Sequence, residues 1–127
     1  MKLDFSQKYA VRPLTAGDVD KILALCAENE QFYRYHPPMA TRESILADMT
    51  ALPPGTGAEN KHYLGFFDGE ALIAVLDLIE HYPQQNTAYI GFFMTKKERQ
   101  GCGLGTSLIG KLLDELRKEK FCRVRLA

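Results

Sequence analysis

Short runs of apolar residues, cut by glycine and proline, divide this chain into segments whose periods alternate between those of strands and helices. Residues 9–14 predict a short strand. Thr15, with Asp18 three positions on, predicts a helix cap, and Val19, Ile22, Leu23 and Cys26 then share one helical face. Across residues 30–38 the pattern breaks: Phe32, Tyr33, Tyr35 and His36 crowd ahead of two prolines, and a bend or loop is expected. Thr41 is expected to cap a second short helix with Ile45, Leu46, Met49 and Leu52 on its apolar side, stopped by Pro53, Pro54 and Gly55. Residues 63–67 and 71–79 read as strands joined by a hairpin at Asp68-Gly69. A turn over 83–87 leads to a third strand over 88–95, completing an antiparallel meander. Leu108, Ile109, Leu112, Leu113 and Leu116 form the stripe of an amphipathic helix, and residues 122–127 begin a further strand.

The order is therefore β-α-α-β-β-β-α-β, a mixed α/β (α+β) domain with a mostly antiparallel sheet. At 127 residues, 46% hydrophobic and 25% charged, the composition fits one globular domain over residues 1–127. Sixteen basic and sixteen acidic residues cancel, so no global field favours nucleic acid or an anionic membrane, and any anion site must be local. Arg117, Lys118, Lys120, Arg123 and Arg125 read as a helix end and the polar side of a strand. The three cysteines are widely spaced, which fits neither a disulfide framework nor a zinc site and points to a reducing cytoplasm. No apolar run reaches the ~20 residues that span a bilayer. His36 and His62 have no partner at metal-ligand spacing, and no metal is expected.

The chemistry gathers at Gln100-Gly101-Cys102-Gly103-Leu104-Gly105-Thr106, where alternate glycines let backbone N–H groups converge on an anion. A dinucleotide fingerprint needs a glycine at position 106, where Thr stands, and a βαβ unit rather than a meander. Residues 105–111 nearly match a nucleotide-binding loop, but Leu112 replaces the Mg²⁺-binding hydroxyl. The spacing Gln100-x-x-Gly103-x-Gly105, after a strand and opening a helix, resembles the Gln/Arg-x-x-Gly-x-Gly/Ala signature of the GNAT superfamily of acyl-CoA-dependent N-acyltransferases. The element order resembles that family from its first strand to its fifth. The resemblance implies acetyl-CoA as co-substrate. Gly101, Cys102, Gly103, Leu104, Gly105 and Thr106 would then hold the pyrophosphate, and Phe93, Met94 and Thr95 would pair with the pantetheine arm. It also implies a backbone N–H at Met94 as oxyanion donor. The family's general acid is expected beyond Ala127, the sequence being incomplete at its C-terminal side relative to that pattern.

A base is needed to neutralise the attacking amine. With a five-residue loop over 83–87, Tyr82 pairs with Ala88, His81 with Tyr89 and Asp77 with Phe93, which puts Asp77, His81, Tyr89 and Phe93 on one face and Glu80 on the other. Asp77 interrupts an apolar run, so burial raises its pKa toward that of a base, and it is the first candidate, with His81 second. Its alternative role is to satisfy a backbone group or face solvent at a bulge. Tyr33, Tyr35 and Tyr89 are candidates for an acceptor pocket, or else anchor their segments by packing. The expected activity is acetyl transfer to a primary amine of a small molecule or a protein, with a homodimer left open. Two other readings stay open: an acyl-CoA-binding module without turnover, and a nucleotide-binding protein using residues 105–111.

Overall fold

A computed structural model describes residues 1–127. The strands are β1 (Ala10–Pro13), β2 (Lys61–Asp68), β3 (Ala71–Glu80), β4 (Thr87–Thr95) and β5 (Arg123–Leu126); the helices are α1 (Val19–Glu28), α2 (Glu30–Tyr35), α3 (Arg42–Thr50) and α4 (Leu104–Lys118). The five strands form one sheet in the order β1-β2-β3-β4-β5, antiparallel except for the parallel pair β4–β5. This is the mixed, mostly antiparallel architecture expected from the pattern. None of the helices is long and apolar enough to cross a membrane.

Each face of the sheet buries its own core. Leu64, Phe66, Leu76, Leu78 and Ile90 pack under Leu104, Leu108, Leu112 and Leu116, the predicted stripe of α4. On the other face Tyr63, Phe67, Leu72, Val75 and Met94 meet Val19, Ile22, Leu25 and Cys26 of α1 and Ile45 of α3. Burying both faces explains why β3 reads as a continuous apolar run with no alternation. Ahead of α1, the Thr15 N–H donates to Asp18 Oδ2 at 2.9 Å, and Arg12 clamps the same carboxylate through both nitrogens, holding its pKa far below the usual range.

Three details depart from the expected reading. The segment over 30–38 is helical from Glu30 to Tyr35 and ends before Pro37; no residue of α2 is buried, so burial imposed no 3.6-residue period for a reader to find. The β2–β3 loop is Gly69-Glu70 rather than Asp68-Gly69, because Asp68 still pairs with Ala71, and Gly69 takes the positive φ of +62° that such a loop needs at its first position. The β3–β4 register also differs. Glu80 pairs with Ala88 and Leu78 with Ile90, then Gly91 is inserted as a bulge, so that Asp77 pairs with Phe92 rather than Phe93.

Gly65 marks where the α1-side core is tightest. A Cβ there would lie 2.6 Å from Leu14 Cδ2 and 2.9 Å from Phe67 Cε2. Gly65→Ala is therefore expected to destabilise the fold by about 1–3 kcal/mol through overpacking, read as a lower urea midpoint with an unchanged slope.

Candidate active site

The β4–α4 connection is built by two residues that need φ > 0. Gly101 and Gly103 sit at φ +82° and +83°, and a Cβ at either would meet nothing within 4 Å, so conformation rather than space requires glycine there. Gly105 is different: its added Cβ would rest 3.7 Å from Phe93 Cε2 and 3.8 Å from Thr95 Cγ2, an ordinary contact between helix and strand. No side chain caps the start of α4, and Gly101, Cys102, Gly103 and Thr106 are exposed, so the first-turn N–H groups point toward solvent beside the loop. Cys102 donates its thiol to the Arg99 carbonyl at 2.7 Å. Residues 105–111 lie wholly within α4, which removes them as an open nucleotide-binding loop.

Beside this loop, β4 has an open edge. β5 pairs only with Thr87–Ile90, so residues 91–95 have no strand on that side. The Lys96 N–H donates to the Ile73 carbonyl on β3, and the same register continues through Val75–Met94 and Asp77–Phe92. Alternation along the ladder thus turns the Met94 N–H inward to β3 and leaves Phe93 and Thr95 facing the open edge. The Thr95 carbonyl agrees with this direction, since it accepts from Gln100 Nε2 at 3.0 Å and Asn29 Nδ2 at 3.3 Å. The expected Met94 donor therefore points the wrong way, and Phe93 offers the outward N–H nearest the bulge. A cleft of about 400 Å³ runs along this edge, lined by Glu28, Asn29 and Phe32 on one wall and by Phe93, Thr95, Gln100 and Gly105 on the other. A larger groove of about 720 Å³ lies between the N-terminal residues and α4, but charged side chains such as Lys111, Asp114 and Lys118 line it and it holds none of the residues above.

Asp77 lies on the α1 side of the sheet. Its carboxylate is largely buried, and Nζ of Lys61, whose side chain is only 8% exposed, approaches Oδ1 to 2.8 Å. The two side chains form a close, buried charge pair. Burial pushes the Asp77 pKa up, opposed by Lys61. The other carboxylate oxygen would lie 3.4 Å from a Cβ at Gly91, which sets the bulge in contact with the acid. A small cavity of about 40 Å³ adjoins the group, shared by Tyr33, Asp48, Tyr63, Asp77 and Phe92. Burial raises the pKa of Asp48 and of both phenols, which stay protonated at neutral pH.

The sequence-derived candidates separate in space. Tyr33 lines the Asp77 cavity, and Tyr89 approaches Gly91 beside the carboxylate, stacked edge-on to Tyr82 at 5.3 Å. Tyr35 is 73% exposed and outside the cavity. His81 is not brought to Asp77: it follows the end of β3 at φ +60°, contacts the Gln85 carbonyl at 2.6 Å and packs on Phe121. Phe93, expected on the face of Asp77, is turned by the bulge toward Phe66 and α4. Lys61, Asp48, Phe92 and Asn29 join the site without having been singled out. Lys61 opens a strand, and Asn29 ends a helix, positions at which such residues are ordinary.

The model of the Acetyltransferase (GNAT) family matches residues 22–127. No curated protein matches the chain. Among solved structures, an acetyltransferase from Thermus thermophilus superposes with a TM-score of 0.72 at 18% identity, over 84% of this chain and 68% of that one. The PaiA N-acetyltransferase from Thermoplasma acidophilum, in complex with coenzyme A, gives 0.65 at 17% identity, over 93% and 77%. The ribosomal-protein-S18-alanine N-acetyltransferase from Escherichia coli gives 0.65 at 15%, over 93% and 65%. At these identities the likeness establishes a shared fold.

Removing one member of a buried ion pair leaves the other uncompensated. Lys61→Met is expected to cost about 3 kcal/mol at neutral pH. Because the variant raises the folded-state pKa of Asp77 further, the loss relative to wild type is small below the already raised wild-type value and grows as pH rises from there through the variant's higher one. Urea denaturation at pH 4 and pH 7.5 checks this; an equal loss at both would place the effect in packing.

Proposed function

This chain belongs to the acetyltransferase (GNAT) family, and from that membership we propose that it moves an acetyl group from acetyl-CoA directly to a primary amine. The observation that carries the reading is the junction of β4 with α4. An unpaired strand edge at residues 91–95 runs into a glycine-turned, uncapped helix N-terminus, with one cleft along both. The first-turn N–H groups and Gly101–Gly105 suit a pyrophosphate, since helix dipole and converging amides favour negative charge there. Phe93 and Thr95 suit a pantetheine amide, which can pair with the open edge as a short strand does. Gln100 keeps the turn between them in place through the Thr95 carbonyl. When bound, acetyl-CoA supplies an activated acyl carbon.

The protein's own part is to place an amine at that carbon, remove its proton and stabilise the oxyanion. We assign the oxyanion contact to the Phe93 N–H in place of Met94, and proton removal to Asp77, directly or through a water. The raised pKa of Asp77 suits a base acting near neutrality. Tyr33, Phe92 and Asp48 line the small cavity at Asp77, with room for about one water as a relay, and Tyr89 lies by Gly91 at its side. The solved relatives include an aminoglycoside acetyltransferase in complex with sisomicin as well as the ribosomal-protein enzyme, so both a small molecule and a protein amine are acceptors to test. Three free cysteines, two of them exposed, support a reducing cytoplasm as its setting. A second reading, a module that holds acyl-CoA without turnover, is favoured by one observation: the carboxylate of Asp77 is already paired with Lys61.

Calorimetry with acetyl-CoA and transfer assays on a panel of amines separate these. Binding with transfer is expected; binding without transfer leaves the inert module, and no binding at high micromolar coenzyme removes both. Asp77→Asn is expected to lower kcat about 100-fold with coenzyme affinity within about twofold, and to abolish the rise of rate with pH through the raised carboxyl pKa. A variant with unchanged rates across pH would take Asp77 out of the mechanism.

A further inference from the structure

Asn29 has more structural duties than its position at the end of a surface helix suggests. It is 7% exposed, and every polar group it carries is engaged. Its N–H donates to the Cys26 carbonyl and closes α1, while its own carbonyl accepts the Tyr33 N–H at 3.4 Å and opens α2. The side chain reaches the other way. Nδ2 donates to the Leu25 carbonyl at 2.9 Å and to the Thr95 carbonyl at 3.3 Å, and Oδ1 accepts from Gln100 Nε2 at 2.6 Å. Gln100 Nε2 in turn donates to the same Thr95 carbonyl, which closes a ring of hydrogen bonds between α1, the end of β4 and the first residue of the glycine loop.

We propose that Asn29 is the positioning residue that fixes the glycine loop against β4, a role that, given the function proposed above, sets the affinity for acetyl-CoA. Only a short amide can do this. It offers donors to two carbonyls and an acceptor to Gln100 from one planar group, whereas Asp lacks the donors and Gln is one methylene too long for the same spacing. Without Asn29, Gln100 keeps one partner and the Thr95 carbonyl loses one. Gly101, next in sequence at φ +82°, is then free to rotate, because glycine has little intrinsic preference for that region. Two further struts, Lys97 N–H to Glu28 Oε1 at 3.2 Å and Arg99 Nη2 to Asp68 Oδ2 at 2.9 Å, are exposed and cannot replace the half-buried ring.

The test compares wild type, Asn29→Ala, Gln100→Ala and the double variant by acetyl-CoA calorimetry, steady-state kinetics and amide hydrogen exchange of the loop, read at Ser107, whose N–H bonds the Gly103 carbonyl. Each single variant is expected to bind acetyl-CoA about tenfold more weakly, with KM raised and kcat at saturation within about twofold. The double variant is expected to be no weaker than the worse single one, as for two parts of one network. Loop amides should exchange faster in Asn29→Ala without coenzyme. Affinity within about twofold of wild type, with loop exchange unchanged, overturns the proposal. If wild type itself binds no acetyl-CoA, the functional reading falls, and loop exchange alone decides whether Asn29 positions the loop: faster exchange sustains it and unchanged exchange ends it. Gln100→Ala, at an exposed position, keeps the test open should Asn29→Ala not fold.

Discussion

One inserted residue in β4 determines which groups meet at the candidate site. Up to Ile90 the strand alternates in phase with β3, sending Ala88 and Ile90 into the core beneath α4, and its outer edge is paired with β5. Gly91 then breaks the phase. Beyond it Phe92 and Met94 face α1, Phe93 turns to α4, and the outward backbone groups of Phe93 and Thr95 lie on an edge without a neighbour. A Cβ at 91 would rest at ordinary contact distance from the Asp77 carboxylate and Tyr89, so the bulge itself lies directly against the acid. The bulge thereby couples the open edge, where a thioester arm would lie, to the acid on the opposite face.

That coupling explains why some of the site is legible in the sequence and some is not. The α4 stripe, the β2–β3 hairpin and the glycine spacing are local signals, each written in consecutive residues, and each corresponds to an element of the structure. Asp77 stands out for the same reason, as one charge in an apolar run. Register is not local. Counting back from the 83–87 turn gives Asp77 opposite Phe93, and neither the shorter strand end at Glu80 nor the bulge leaves a mark except an ordinary glycine. The same count sets His81 on the face of Asp77, whereas it packs on Phe121. Asn29 and Lys61 carry no signal of their own because their partners, Gln100 and Asp77, lie 71 and 16 positions away. No periodicity encodes such a pairing.

The electrostatics of Asp77 hold two opposing demands. Burial alone would drive its pKa upward until the acid was neutral and useless as a base, while a fully aligned buried ion pair would keep it charged but too weakly basic to act. Lys61 sits close enough to oppose desolvation through its charge and its hydrogen bond without cancelling it. The result is a carboxylate whose pKa stays raised even with a cation at 2.8 Å. A carboxylate balanced in this way is compatible with a structural pair and with the base proposed above.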